Sequence, residues 1–80
     1  MLNITIEYCR VWNYTPRAVS LFNELMQDRA IESQIETIEI IPSAGGRFEV
    51  TVNGDLIYSK MSTGRHANPG EVHQLVKEKI

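Results

Sequence analysis

The chain has one cysteine, Cys9, and no second thiol to pair with it. An internal disulfide framework is therefore excluded, and so is a zinc site built on several thiolates. Positive charge is not in excess: eight lysines and arginines stand against ten acidic residues, for a net charge of −2. A general nucleic-acid binder would carry a basic face, so none is expected here. No apolar run approaches the roughly 20 residues that span a bilayer. Nor does the chain open on a basic segment followed by a continuous apolar stretch, the mark of a signal peptide. The expectation is a cytoplasmic protein in a reducing setting, with neither membrane nor nucleic acid as partner. Linkers, repeats and low-complexity segments are also missing. At 80 residues the expectation is one domain over 1–80. A chain of this size buries roughly 60% of the surface it would expose unfolded, so its core is thin.

What is present is clear alternation. Leu2, Ile4, Ile6 and Tyr8 point one way and Asn3, Thr5 and Glu7 the other, which predicts a strand over 2–8. Residues 9–14 read as a loop. Thr15 suits an N-cap and Pro16 the first helical position. Ala18, Leu21, Leu25 and Val19, Phe22, Met26 then recur at helical spacing. That helix is expected to end between Arg29 and Ile31. Ile35–Ile41, rich in β-branched residues, predicts a second strand ended by Pro42. Runs over 47–52 and 55–60 flank Asn53-Gly54, the preferred pair of a two-residue type I′ hairpin. Residues 61–67 read as a loop. Asn68-Pro69-Gly70-Glu71 has the form of a capping box, followed by a helix with the stripe Val72, Leu75, Val76 and Ile80.

The order is β-α-β-β-β-α. A right-handed crossover makes the first two strands parallel neighbours, and the hairpin adds an antiparallel pair. The helices must cover the sheet. The expected fold class is α/β, a mixed four-stranded sheet with two helices, on the ground plan of a minimal thioredoxin-like domain.

Cys9 follows the first strand and precedes a helix N-terminus, the usual place of a thiol–disulfide active site. The position of the second cysteine in a Cys-x-x-Cys pair holds Trp12. The segment from Glu7 to Ala18 resembles the opening motif of the selenoprotein W-like family, grouped with selenoproteins T and H as the Rdx proteins. That motif is Tyr-Cys-x-x-Cys (or selenocysteine), then x-Tyr-x-Pro-Arg, and Tyr8, Cys9, Tyr14, Pro16 and Arg17 match it. Gly46-Arg47-Phe48-Glu49-Val50, Val52-Asn53-Gly54 and Leu56-Ile57-Tyr58-Ser59-Lys60 resemble the family's hairpin, in the same order. The resemblance covers nearly the whole chain. It implies a thioredoxin-like fold and a thiol or selenol oxidoreductase role, with glutathione as co-substrate and no bound cofactor. Cys9 carries over as the first cysteine. An internal disulfide does not, because Trp12 replaces the second redox residue.

Two readings of Cys9 stand side by side. Thiolate is the reactive form, and a helix N-terminus or a nearby cation favours it. Arg10 adjoins Cys9 and Arg17 lies in the first helical turn. A single thiol can form a mixed disulfide with glutathione or a protein thiol and be released by a second external thiol. It can also be oxidised to a sulfenic acid. Against this, free cysteine is among the most buried residue types and is then inert.

Trp12 either forms an apolar wall beside Cys9 or plugs the gap between loop and helix. Tyr14 reads as a packing residue with its hydroxyl on water or backbone. Arg17 is either a fork for a carboxylate, such as one of glutathione's, or a solvated helix residue. If the chemistry is lost, Val11, Trp12 and Tyr14 form an apolar patch for a partner protein. A weak homodimer through this loop or through the second strand is the third reading, with a monomer as its counterpart.

Other constellations are bland. His66 and His73 lack a third ligand, so no metal is expected. Ser59 and Ser62 near His66 do not make a triad. Ser43-Ala44-Gly45-Gly46 opens no helix and lacks the context of a phosphate loop; it reads as a flexible connection bordering the Cys9 loop. Glu24, Asp28, Glu32, Glu36 and Glu39 read as a solvated face. Thioredoxin-like folds often set a cis-proline opposite the active cysteine, but cis is the minority form and nothing requires it at Pro42.

Overall fold

A computed structural model describes all 80 residues, in the order β1 (Leu2–Cys9), α1 (Thr15–Gln27), α2 (Arg29–Glu32), β2 (Ile35–Ser43), β3 (Phe48–Val52), β4 (Asp55–Ser59), α3 (Lys60–Thr63) and α4 (Glu71–Lys77). The strands form one sheet in the order β2-β1-β3-β4. β1 pairs parallel with β2 and antiparallel with β3, and β3 pairs antiparallel with β4. This is the expected mixed sheet.

Alternation along the strands puts Leu2, Ile4, Ile6 and Tyr8 of β1 and Phe48, Val50 and Val52 of β3 on one buried face. α1 packs on β1, α4 packs on β4, and the two helices touch each other, so one helical layer covers that face. Ala18, Leu21, Leu25, Ile31, Val72 and Val76 close the core from the helical side. The other face is polar: Thr5 stands opposite Thr51, with their hydroxyls hydrogen-bonded, and Glu7 stands opposite Glu49. The hairpin is as expected. Asn53 and Gly54 both have positive φ, and Val52 faces Asp55 across them. Asn53 also ties back to β1, its Oδ1 accepting from the Asn3 N–H at 2.9 Å.

Several boundaries differ from the sequence expectation, each for a local reason. β1 runs one residue further than expected, so Cys9 belongs to the sheet and not to the loop. The residue in the N-cap place of α1 is Tyr14, with no side-chain cap, and Thr15 is already helical. The first helix breaks at Asp28, whose extended backbone interrupts the ladder and whose carboxylate accepts from the N–H groups of Ala30 and Ile31 at 3.0 and 3.4 Å. β2 continues through Pro42, because it is an edge strand and tolerates a residue without an N–H. All peptide bonds, that before Pro42 included, are trans.

Ser59, read as a strand residue, caps the short α3 by accepting from the Ser62 N–H at 3.2 Å, where a loop was expected. α4 begins at Glu71 and not at Pro69, since Gly70 adopts a positive φ. Half of the capping box survives: Glu71 Oε1 accepts from the Asn68 N–H at 2.9 Å. The helix ends at Lys77, so Ile80 leaves the apolar stripe and is 54% exposed. Val19 is likewise exposed. Asp28 departs from the solvated acidic face. Its Oδ2 bonds His73 Nε2 at 2.7 Å and Lys77 Nζ at 3.1 Å, joining the α1–α2 junction to α4.

Candidate functional site

The end of β1 fixes the candidate site. Cys9 donates its N–H to the Arg47 carbonyl at 2.7 Å, and Arg10 donates to the Ser43 carbonyl at 2.9 Å. Residues 43–47 therefore border the loop, as expected. The loop closes on itself: Tyr14 N–H donates to the Cys9 carbonyl and Asn13 N–H to the Arg10 carbonyl, both at 3.0 Å. Asn13, at φ 59, makes the left-handed turn this requires. Backbone hydrogen bonding thus determines where each loop side chain goes.

Inside this loop the sulfur is covered. Cys9 is 0% exposed, and the Trp12 N–H donates to its Sγ at 3.3 Å. Val11 and Trp12 stand outward, 66% and 60% exposed. The loop thus has an inner position, taken by the thiol, and an outer one, taken by the indole. Trp12 is a surface residue. Its ring lies over Gly46 and meets Tyr14 edge-on, with centroids 6.2 Å apart.

Arg10 and Arg17 are brought to the same end of the molecule, but neither hydrogen-bonds the sulfur, whose one partner is the Trp12 amide. Arg17 and Pro16 instead line a cleft of about 390 Å³ between α1 and residues 66–72. Tyr14 packs against the core, and it also gathers His66 and Lys60, which the sequence did not connect with this loop. His66 meets its ring edge-on at 4.6 Å, and Lys60 Nζ lies 5.7 Å from the ring centroid. Partial burial, then the charges of Arg17 and Lys60, hold the His66 pKa below its ordinary value. His66 lies far from the Cys9 loop in sequence, and no local pattern links them. Gly46 was visible as part of the hairpin motif, but its role as the seat of an indole ring was not.

Nowhere do three His, Cys, Asp or Glu side chains group as metal ligands. No helix is long and apolar enough to cross a membrane.

Comparison with known proteins agrees with this geometry. The sequence pattern of the Rdx family matches residues 3–78. A crystal structure of a selenoprotein W-related protein from Vibrio cholerae superimposes with a TM-score of 0.85 at 31% identity, over 96% of this chain and 94% of the other. A protein from Bordetella parapertussis shares the fold at a TM-score of 0.88 and 22% identity, over 99% of this chain and 98% of the other. No curated protein matches the chain.

Proposed function

The chain belongs to the Rdx family, with the minimal thioredoxin-like fold of its selenoprotein W-related members, and from that premise we propose that it works as a recognition module through the Cys9 loop. One observation carries this reading: the only thiol is fully buried, while the outer position of the same loop presents Trp12. Thiol–disulfide exchange needs a sulfur that another sulfur can approach in line. No surface of Cys9 is open to such an atom, and the exposed position of the loop carries Trp12. Exposed tryptophan beside an exposed valine is what a protein–protein contact uses as an anchor. The partner proposed is a protein with an apolar pocket for Trp12, rimmed by groups that meet Arg10.

A second reading is favoured by the Trp12 N–H aimed at Sγ, the kind of contact a thiolate would use. Cys9 would then attack the disulfide of oxidised glutathione, forming a mixed disulfide and releasing one glutathione thiolate. A protein thiol would then attack the glutathione sulfur of the mixed disulfide, restoring the Cys9 thiolate and leaving that protein joined to glutathione by a disulfide. In this reading the loop must first open to expose the buried thiol.

Alkylation of the folded protein, with intact mass after exposure to oxidised glutathione, separates the two. The recognition reading expects no adduct while the protein is folded and rapid modification once it is unfolded in urea. It also expects that a partner captured by the wild-type protein is retained by Cys9→Ser and lost by Trp12→Ala. One reversible glutathione adduct on the folded protein would give the function to the thiol.

A further inference from the structure

Arg17 and Glu24 lie on the same side of α1, seven residues apart, or about 10.5 Å along the axis. Both line the cleft formed with residues 66–72. Their opposite charges are too far apart to pair easily with each other, and neither has another partner. The ion pairs of the protein join Arg65 to Glu71, His73 and Lys77 to Asp28, and Lys79 to Asp55. Between the two free charges the cleft is lined by Leu21, Phe48 and Val72, apolar side chains of the core edge. A cavity of about 390 Å³ falls in the range of small-ligand sites.

We propose that this cleft binds a short zwitterionic peptide, two or three residues long with an apolar side chain, its carboxylate on Arg17 and its ammonium on Glu24. The guanidinium fork matches a carboxylate bidentately. An extended chain covers about 3.3–3.6 Å per residue, so two or three residues set their terminal charges at a distance the two side chains can bracket. The apolar lining takes the side chain between them. A polyanion such as a nucleotide would bring like charge to Glu24 and find only Arg17 opposite. Neither Cys9 nor Trp12 lines the cleft, so binding here involves neither the thiol nor the indole, although His66 in the lining packs on Tyr14 of the loop.

The test is an amide chemical-shift titration with the tripeptide Ala-Leu-Ala, its C-terminal amide and its N-acetylated form. The free tripeptide is expected to give saturable shifts at Ser20, His66, Ala67 and Val72. Each blocked peptide should bind the wild-type protein about threefold to fivefold more weakly, the worth of one exposed charge pair. Arg17→Gln should abolish the difference between acid and amide. Glu24→Gln should abolish the difference between amine and N-acetyl. Arg17 is exposed and Glu24 half-buried, and neither belongs to the core. Equal binding of all three peptides to the wild-type protein would overturn the proposal. So would shifts that never saturate at millimolar peptide, or shifts centred on residues 9–14.

Discussion

The Trp12 ring lies so close over Gly46 that a Cβ on that glycine would stand 2.7 Å from Cζ3. Gly46 also has φ +74, where a side chain is strained whatever the space. Gly46→Ala is therefore expected to destabilise the protein by about 1–3 kcal/mol and to lift the indole off the loop. The single tryptophan makes its fluorescence a direct reporter. Adding Trp12→Ala should remove the clash and leave the backbone strain, so the double variant stays below wild type by about 1 kcal/mol in urea unfolding.

Cys9 should matter to stability more than an exposed thiol would. It is 0% exposed at the end of an inner strand, so Cys9→Ala leaves a small void and an unmet Trp12 N–H. A loss of about 1–2 kcal/mol is expected. Trp12→Ala, at a residue 60% exposed, should cost less than about 1 kcal/mol in the same urea series. A neutral Cys9→Ala would contradict the burial on which the recognition reading rests.

Acid stability should fall in a window set by two carboxylates. Hydrogen bonds from His73 and then Lys77 lower the Asp28 pKa from 3.8 to about 2. Arg65 and the Asn68 N–H lower the Glu71 pKa from 4.5 to about 2. A folded-state pKa below the unfolded value means that the unfolded chain takes up protons first as pH falls. The stabilisation is thus complete above about pH 4.5 and is lost towards about pH 2. Urea midpoints measured across this range should slope steeply for wild type and less for Asp28→Asn or Glu71→Gln.

His66 should titrate below its ordinary value, held there by burial first and then by Arg17 and Lys60. Here the unfolded state again binds the proton more readily, so stability declines as pH falls below 6.5 through the folded-state pKa. Imidazole proton resonances across the titration check this. Arg17→Gln should raise the His66 midpoint, and His66→Gln identifies which of the two histidine signals is which.

Much of the architecture was legible because it rests on periodicity. Leu2, Ile4, Ile6 and Tyr8 alternate, and Asn53-Gly54 can hardly be anything but a tight hairpin turn. What stayed hidden depends on partners distant in sequence. Asp28 caps the short α2 through local N–H groups, but its pairing with His73 and Lys77, brought in by α4, has no local signal. Pro42 reads as a stop signal until β2 is known to be an edge. At the candidate site, the sequence placed Cys9, Trp12 and Tyr14 on one loop. It could not say which faced inward, because that depends on the Trp12 N–H turning to the sulfur and on Gly46 receiving the ring. His66 and the Arg17–Glu24 cleft exist only once residues 66–72 fold back against α1.

The sheet order has a consequence for synthesis. β1 precedes both of its partners in the chain, yet it is an inner strand, flanked by β2 and β3. Its β2 edge can be met once the chain extends through Ser43, but its β3 edge stays unmet until Val52 is in place. A chain that stops short of β3 therefore leaves one edge of the row Leu2, Ile4 and Ile6 unpaired, and exposed strand edges invite mispairing. Released fragments truncated before β3 should remain protease-sensitive along β1, and protection of β1 should appear only in fragments that include the hairpin.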